Sequence, residues 1–250
     1  MLKAVLFDLD NTLLLFDEMH FFKIYMEKIS QFFSDLMEPA VFKERLLSST
    51  QFLMGNNGKV SNADSFMDHF ALGYESVRSD LWQRFIDFYE TEYDQFASIT
   101  RTPRGGRELI LELQKMSLKI VIASNPLWPL SAQLKRLDWA GIADLKYDLI
   151  THVENMSFCK PKLAYYQKIC EMIDTSPEAC LMVGNDLVND MIVGQIGMHT
   201  FLTSDSSNEA DKVLNMSRAL REGFEHQESE PDFRGPLSHV IEAVRQLNRG

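Results

Sequence analysis

The run Lys3-Ala-Val-Leu-Phe7 stops abruptly on Asp8-Leu-Asp10. A short, uninterrupted apolar run cut off by carboxylates reads as a buried parallel strand that delivers polar groups to a sheet edge. The pattern recurs. Residues 118–123 are apolar and β-branched and end at Ser124-Asn125-Pro126, where the proline forbids continuation as a central strand. Residues 179–183 end at Gly184-Asn185-Asp186. Shorter strands are predicted over 148–151 and 200–202. Helices are predicted over 105–115, 131–138, 162–173, 187–196 and 237–247. Repeated αβ units of this kind predict an α/β fold, a doubly wound parallel-sheet (Rossmann-like) core with helices on both faces.

Between the first and second strands the texture changes. From Phe16 to Phe96 the chain is aromatic-rich and almost free of proline, and it holds 17 of the 27 aromatic residues. Apolar residues at Phe21, Phe22, Tyr25, Met26, Ile29, Phe32, Phe33 and Leu36 fall at helical spacing. Further helices are predicted over 41–53 and 80–93, with a turn at Gly55-Asn-Asn-Gly58. The expected organisation is therefore a core of residues 1–15 and 97–250 and a helical cap domain of residues 16–96. The insertion leaves the sheet where α/β folds place their ligands, so the cap is expected to cover the site. Most of its aromatics should form its own core, and some could face the site and favour an apolar substrate group.

Charge and cysteine content narrow the function. The formal net charge is −11, with no basic patch, which argues against nucleic acid or anionic lipid as partner. No apolar run is long enough to span a membrane, and Asp8 and Asp10 interrupt what could be a signal peptide. Cys159, Cys170 and Cys180 show no CxxC spacing and read as reduced, packed thiols. A cytoplasmic protein, monomer or homodimer, is expected. The stretch 204–231 reads as a polar excursion, and the acidic segment 222–232 has no assigned role.

The strand ends carry the chemistry. Asp8 and Asp10 follow the first strand, Ser124 the second, and Asn185, Asp186 and Asp190 the run 179–183, while Lys160 opens a helix. Parallel strands point their C-terminal ends to one edge, so these groups can converge. Clustered carboxylates repel unless a cation sits among them, and an all-oxygen set suits Mg²⁺. A hydroxyl and an ammonium at the same edge supply what a phosphate dianion needs. Nucleophile, proton shuttle, metal and charge clamp are the parts of phosphoryl transfer. His20, His69 and His152 have no partner at metal-ligand spacing.

Phe7-Asp-Leu-Asp-Asn-Thr-Leu13 resembles the signature of the haloacid dehalogenase-like (HAD) hydrolases. The resemblance extends to Val121-Ile-Ala-Ser-Asn125, to Lys160-Pro161 and to Gly184-Asn-Asp-Leu-Val-Asn-Asp190, four motifs in the family's order. It implies a Mg²⁺-dependent phosphatase acting on a small phosphorylated metabolite. Asp8 would be the nucleophile, and Asp10 would protonate the leaving oxygen and then activate water. The metal would take a carboxylate oxygen of Asp8 and the backbone carbonyl of Asp10. Thr12 would brace the turn, Ser124 and Asn125 would bind the phosphate, and Lys160 would stabilise the charge. The family usually has an aspartate directly after the glycine, where this chain has Asn185. Either Asp186 supplies the metal carboxylate, with Asp190 behind it, or Asn185 ligates through its amide oxygen. The first alternative is the one expected here.

Other readings within the resemblance are a 2-haloacid dehalogenase, which Asp10 argues against, and a phosphonatase-like hydrolase, for which no cap lysine is marked out. A catalytically weak relative that only binds is invited by Asn185 alone.

Overall fold

The computed structural model describes residues 1–205 and 229–249. Six parallel strands form one sheet in the order β3-β2-β1-β4-β5-β6. They are β1 (Ala4–Phe7), β2 (Lys119–Ile122), β3 (Leu149–Ile150), β4 (Cys180–Gly184), β5 (His199–Thr203) and β6 (Phe233–Gly235). The four residues of β1 are wholly buried because β1 lies at the centre of the sheet with both faces covered. Its side chains alternate between two cores. Val5 and Phe7 join Ile120, Ile122, Leu181 and Val183 on one face, and Ala4 and Leu6 join Val121 and Met182 on the other. Each large apolar side chain buried this way contributes about 1.5–3 kcal/mol.

Helices α5 (Gly106–Lys115), α6 (Leu130–Trp139), α7 (Leu163–Met172) and α8 (Val240–Leu247) belong to the α/β core. Helices α1 (Glu18–Phe32), α2 (Pro39–Met54), α3 (Asn62–Phe70) and α4 (Arg78–Thr91) lie between β1 and β2 and form the cap. Phe33, Phe42, Phe70 and Phe85 pack ring against ring at its centre, and this aromatic core runs on into one face of the sheet. The two chain crossings between core and cap are paired antiparallel. Leu15 and Arg101 exchange backbone hydrogen bonds of 2.8 Å each. At the far side the cap rests on core loops through Asn62. Its backbone N–H donates to the Met156 carbonyl at 2.7 Å, and its side chain donates to the Phe158 carbonyl at 3.3 Å. The Lys162 ammonium donates to the Asn56 carbonyl at 2.7 Å across the same seam. Gly58 is needed there. Its φ is +88°, and a Cβ would come within 2.2 Å of the Phe158 ring.

Several expected elements differ. Helix α3 was not anticipated from the sequence. Its start is marked by Ser61, whose hydroxyl accepts from the Asp64 N–H at 3.0 Å, but its nine residues are few for periodicity to register. Residues 187–196 do not form an α-helix. The Asp186 carboxylate caps the N–H groups of Val188 and Asn189 and starts a single turn, closed by the Asp190 N–H on the Asp186 carbonyl at 2.9 Å, after which Met191–Ile196 coil as a 3₁₀ helix. The three-residue β6 is an addition at the sheet edge. The expected excursion over 204–231 falls almost wholly outside the described residues.

Candidate active site

Register explains the convergence. Phe7 pairs with Ile122 on one side and with Val183 on the other, so β1, β2 and β4 end level with one another. Asp8, Ser124 and Asn185 therefore emerge at one rim. They line a single cavity with Asp10, Asn125, Lys160, Asp186 and Asp190, of about 810 Å³ when space open to solvent is counted. Thr12 lies beneath it, fully buried.

Lys160 is the hub. It is 2 % exposed, and its ammonium donates to Asp8 Oδ1 at 2.8 Å and to Asp190 Oδ1 at 2.6 Å. Burial works against that charge, yet the carboxylates of Asp190 and Asp8 outweigh it and hold the ammonium well above the usual lysine range. Burial pushes the Asp190 carboxyl up to about 7, against the pull of Lys160. Burial also raises Asp8, where Lys160 opposes and Asp10 reinforces the shift. The other Asp190 oxygen accepts from the N–H groups of Asn185 and Asp186, at 3.1 Å each. It fills the space that a Cβ on Gly184 would need.

The second oxygen of Asp8 faces the Thr12 hydroxyl at 3.4 Å, and the same hydroxyl meets Asn185 Oδ1 at 3.3 Å. Asp8 Oδ2 and the Asn185 amide oxygen thus share one neighbour. The Asp186 carboxylate lines the cavity as well, but its Oδ1 accepts from Val188 and Asn189 N–H at 2.8 and 2.9 Å. Ser124 is buried, and Tyr165 donates to its carbonyl at 2.8 Å. The Asn125 side-chain oxygen accepts from the Lys160 N–H at 3.3 Å and ties the lysine loop to the end of β2. Asp10 turns towards α6, where its carboxylate pairs with the buried guanidinium of Arg136.

Oxygen donors of mixed type suit a hard cation that keeps waters. Five carboxylates, those of Asp8, Asp10, Glu18, Asp186 and Asp190, line the cavity against two cations, Lys160 and Arg136. That imbalance favours a divalent ion among them. No three acidic, histidine or cysteine side chains converge as a ligand group among the described residues. Any such ion therefore needs a neutral oxygen alongside Asp8. The Asp10 carbonyl qualifies, since no backbone N–H bonds it among the described residues. The Asn185 amide is the other.

Glu18, Trp128, Arg136, Asn189 and the Tyr165–Tyr166 pair were not singled out from the sequence. Glu18 opens α1 and accepts from the Asn11 amide at 2.9 Å. Arg136 carries the one readable signal, a basic residue in the buried stripe of α6 with Ala132, Gln133 and Leu137. Of the cap aromatics, Phe16 and Phe21 reach the cavity. Phe22, Tyr25, Trp82 and Tyr89 line an apolar chamber beside it, and Leu127 and Trp128 form the common wall.

Burial, with Asp10, Asp186 and Asp8 nearby, raises the Glu18 carboxyl to about 7 from an unperturbed 4.5. Between those pH values the folded chain keeps a proton that the unfolded chain has released, so stability falls as pH rises through the window and levels off above it. Glu18→Gln removes this liability. In EDTA the variant should melt above the wild-type protein at pH 8, and the gap should close by pH 5. A lower melting temperature at pH 8 would contradict the assignment.

This architecture and rim define a HAD-type hydrolase. The model of the haloacid dehalogenase-like hydrolases matches residues 2–195, and the chain belongs to that family. It is similar to a pyrophosphatase PpaX of Bacillus cereus (strain G9842), 23 % identical over 74 % of this chain and 73 % of that one. Among solved structures it is similar to a HAD phosphatase from Thermococcus onnurineus (17 % identity, TM-score 0.55, 97 % and 98 % of the two chains). An L-2-haloacid dehalogenase from Xanthobacter autotrophicus is another such neighbour (19 %, 0.53, 98 % and 99 %). No described helix is long and apolar enough to cross a membrane.

Proposed function

We propose that this hydrolase is a Mg²⁺-dependent phosphatase that cleaves a small phosphorylated metabolite through an aspartyl phosphate on Asp8. The observation that carries the reading is the Asp8 carboxylate itself. One oxygen is held by Lys160, while the other faces the Thr12 hydroxyl, at 3.4 Å, on the rim of the cavity. That oxygen attacks phosphorus, the bond to the leaving oxygen breaks, and Lys160 balances the charge gathering on Asp8 and the phosphoryl oxygens. Ser124 and Asn125 stand at the same rim to take the phosphoryl group. Asp10 gives the leaving oxygen a proton and takes one back from the water that cleaves the intermediate. To do so its carboxylate must leave Arg136. The cap lies over the site and limits the size of what enters.

Asp8, the Asp10 carbonyl and the Asn185 amide oxygen would hold Mg²⁺, with Asp186 and Asp190 fixing the loop around them. Bound there, the ion would offset the negative charge of the incoming phosphate. The pairing of Asn185 with Asp8 through Thr12 supports this set over one with Asp186 as ligand. The phosphatase reading also agrees with the pyrophosphatase relative.

The test is hydrolysis of p-nitrophenyl phosphate and a metabolite panel, with Mg²⁺ and with EDTA. The expected result is turnover that EDTA removes and Mg²⁺ restores. An amide ligand binds Mg²⁺ more weakly than a carboxylate, so Asn185→Asp should lower the Mg²⁺ concentration for half-maximal rate by roughly tenfold. Release of halide from 2-haloacids with no phosphate release would favour the dehalogenase instead.

A further inference from the structure

Arg136 is the second cation of the cavity, and the phosphoryl chemistry above does not use it. Its guanidinium is 1 % exposed and rests against the Trp128 ring at 5.0 Å from the centroid. One terminal nitrogen pairs with Asp10. Its Nε and its other terminal nitrogen are buried with no hydrogen-bond partner among the described residues, and so is the hydroxyl of Tyr93. Buried donors of a charged group are left unpaired only at substantial cost, and such groups in a cavity wall mark places where a ligand supplies the acceptor. Lys160 is committed to Asp8 and Asp190, so Arg136 is the one cation left for anything else among the described residues of the wall.

We propose that Arg136 is a specificity-determining residue that receives a second anionic group, a carboxylate or a second phosphate, on the leaving-group side of the substrate. The inference rests on the phosphatase reading, since it takes Asp10 to be the group beside the leaving oxygen. A side chain paired with Asp10 is then next to whatever that oxygen is attached to. The planar fork of a guanidinium matches a carboxylate or phosphate with two parallel N–H donors. Stacking on Trp128 fixes the plane in advance, so little order is lost on binding. The arriving anion replaces Asp10 on the guanidinium, and the carboxylate is freed for the leaving oxygen. A phosphate ester with an uncharged tail offers the guanidinium no anion, so it frees Asp10 less readily. Phe16 and Phe21 also line the cavity and offer an anion no counter-charge, and the carboxylates of Glu18 and Asp10 would repel it, so without Arg136 a second anion would be poorly held.

The experiment uses the full chain with excess Mg²⁺ and three non-ester ligands: ethylphosphonate, phosphonoacetate for the carboxylate, and ethylene-1,2-diphosphonate for the second phosphate. Binding is read as the shift in melting temperature and by titration calorimetry. At least one two-anion ligand should bind about tenfold or more tightly than ethylphosphonate, and whichever does names the anion. Arg136→Lys keeps the charge but loses the fork, and it should bring that ratio near one. In turnover, the same variant should raise KM for phosphoglycolate far more than for ethyl phosphate. Equal affinity for all three ligands in the wild-type protein overturns the proposal even if the variant fails to fold. An equal loss for all three in Arg136→Lys also overturns it, because that is the signature of a purely structural arginine. If no phosphate ester is turned over yet the affinity ratio is found, the phosphatase reading fails while the anion subsite stands.

Discussion

Asp8→Asn is expected to lower kcat by at least about 10⁴, a loss of roughly 5.5 kcal/mol of transition-state stabilisation. The amide keeps the shape of the carboxylate, and its oxygen can still accept from Lys160, so the fold is retained. The lost group is the second, anionic oxygen facing the cavity, without which no acyl phosphate forms. The stability change should be small beside the kinetic one, because Asp8 is a buried acid whose charge costs desolvation. Two measurements check this together. Single-turnover assays should show no acid-stable phosphoprotein in the variant, and beryllium fluoride should raise the melting temperature of the wild-type protein but not of Asp8→Asn. Residual turnover within a hundredfold of wild type would move the nucleophile elsewhere.

Lys160→Met should be the most damaging change to stability, with a large loss of activity beside it. The ammonium separates two buried carboxylates, at 2.8 and 2.6 Å. Removing one member of a buried charge cluster and leaving the rest costs about 3–5 kcal/mol. The phosphoryl charge loses its clamp as well, and kcat/KM should drop by about 10³. The pH dependence has a definite sign. With Lys160 gone, Asp8 and Asp190 lose the interaction that opposes the upward shift from burial, so their folded-state pKa values rise further. Stability of the variant then falls as pH rises from the ordinary carboxylate range through those values, and acid restores part of it. Urea midpoints at pH 5 and pH 8 test this. The gap to wild type should be smaller at pH 5, and a larger one there would rule the account out.

The sheet was legible because its strands are short apolar runs with abrupt polar ends. β1, β2 and β4 each stop within a residue or two of where the sequence places the break. The rim followed from parallel topology alone, since Asp8, Ser124, Asn185 and Lys160 needed only a common edge to meet. The residues that tune the rim were harder to find. Arg136 is twelve positions beyond Ser124 on a helix, and its partner Asp10 is on another element, so no local spacing links them. Tyr165 and Tyr166 read as ordinary helix core, yet their hydroxyls hold the carbonyls of Ser124 and Asn189. The loop after β4 was misjudged for a related reason. Asp186 and Asp190 look like acids at a helix start, and Asp186 does cap the N–H groups of Val188 and Asn189, but Asp190 turns back, with one oxygen on the Asn185 and Asp186 N–H groups and the other on Lys160.

The paired crossings at Leu15 and Arg101 tie both ends of the helical insertion to one spot, so neither can slip along the other without breaking two bonds together. The aromatic interior is shared between those helices and one sheet face, so moving the helices as a block would expose part of it to water. The bonds of Asn62 and Lys162 at the opposite margin would have to break as well.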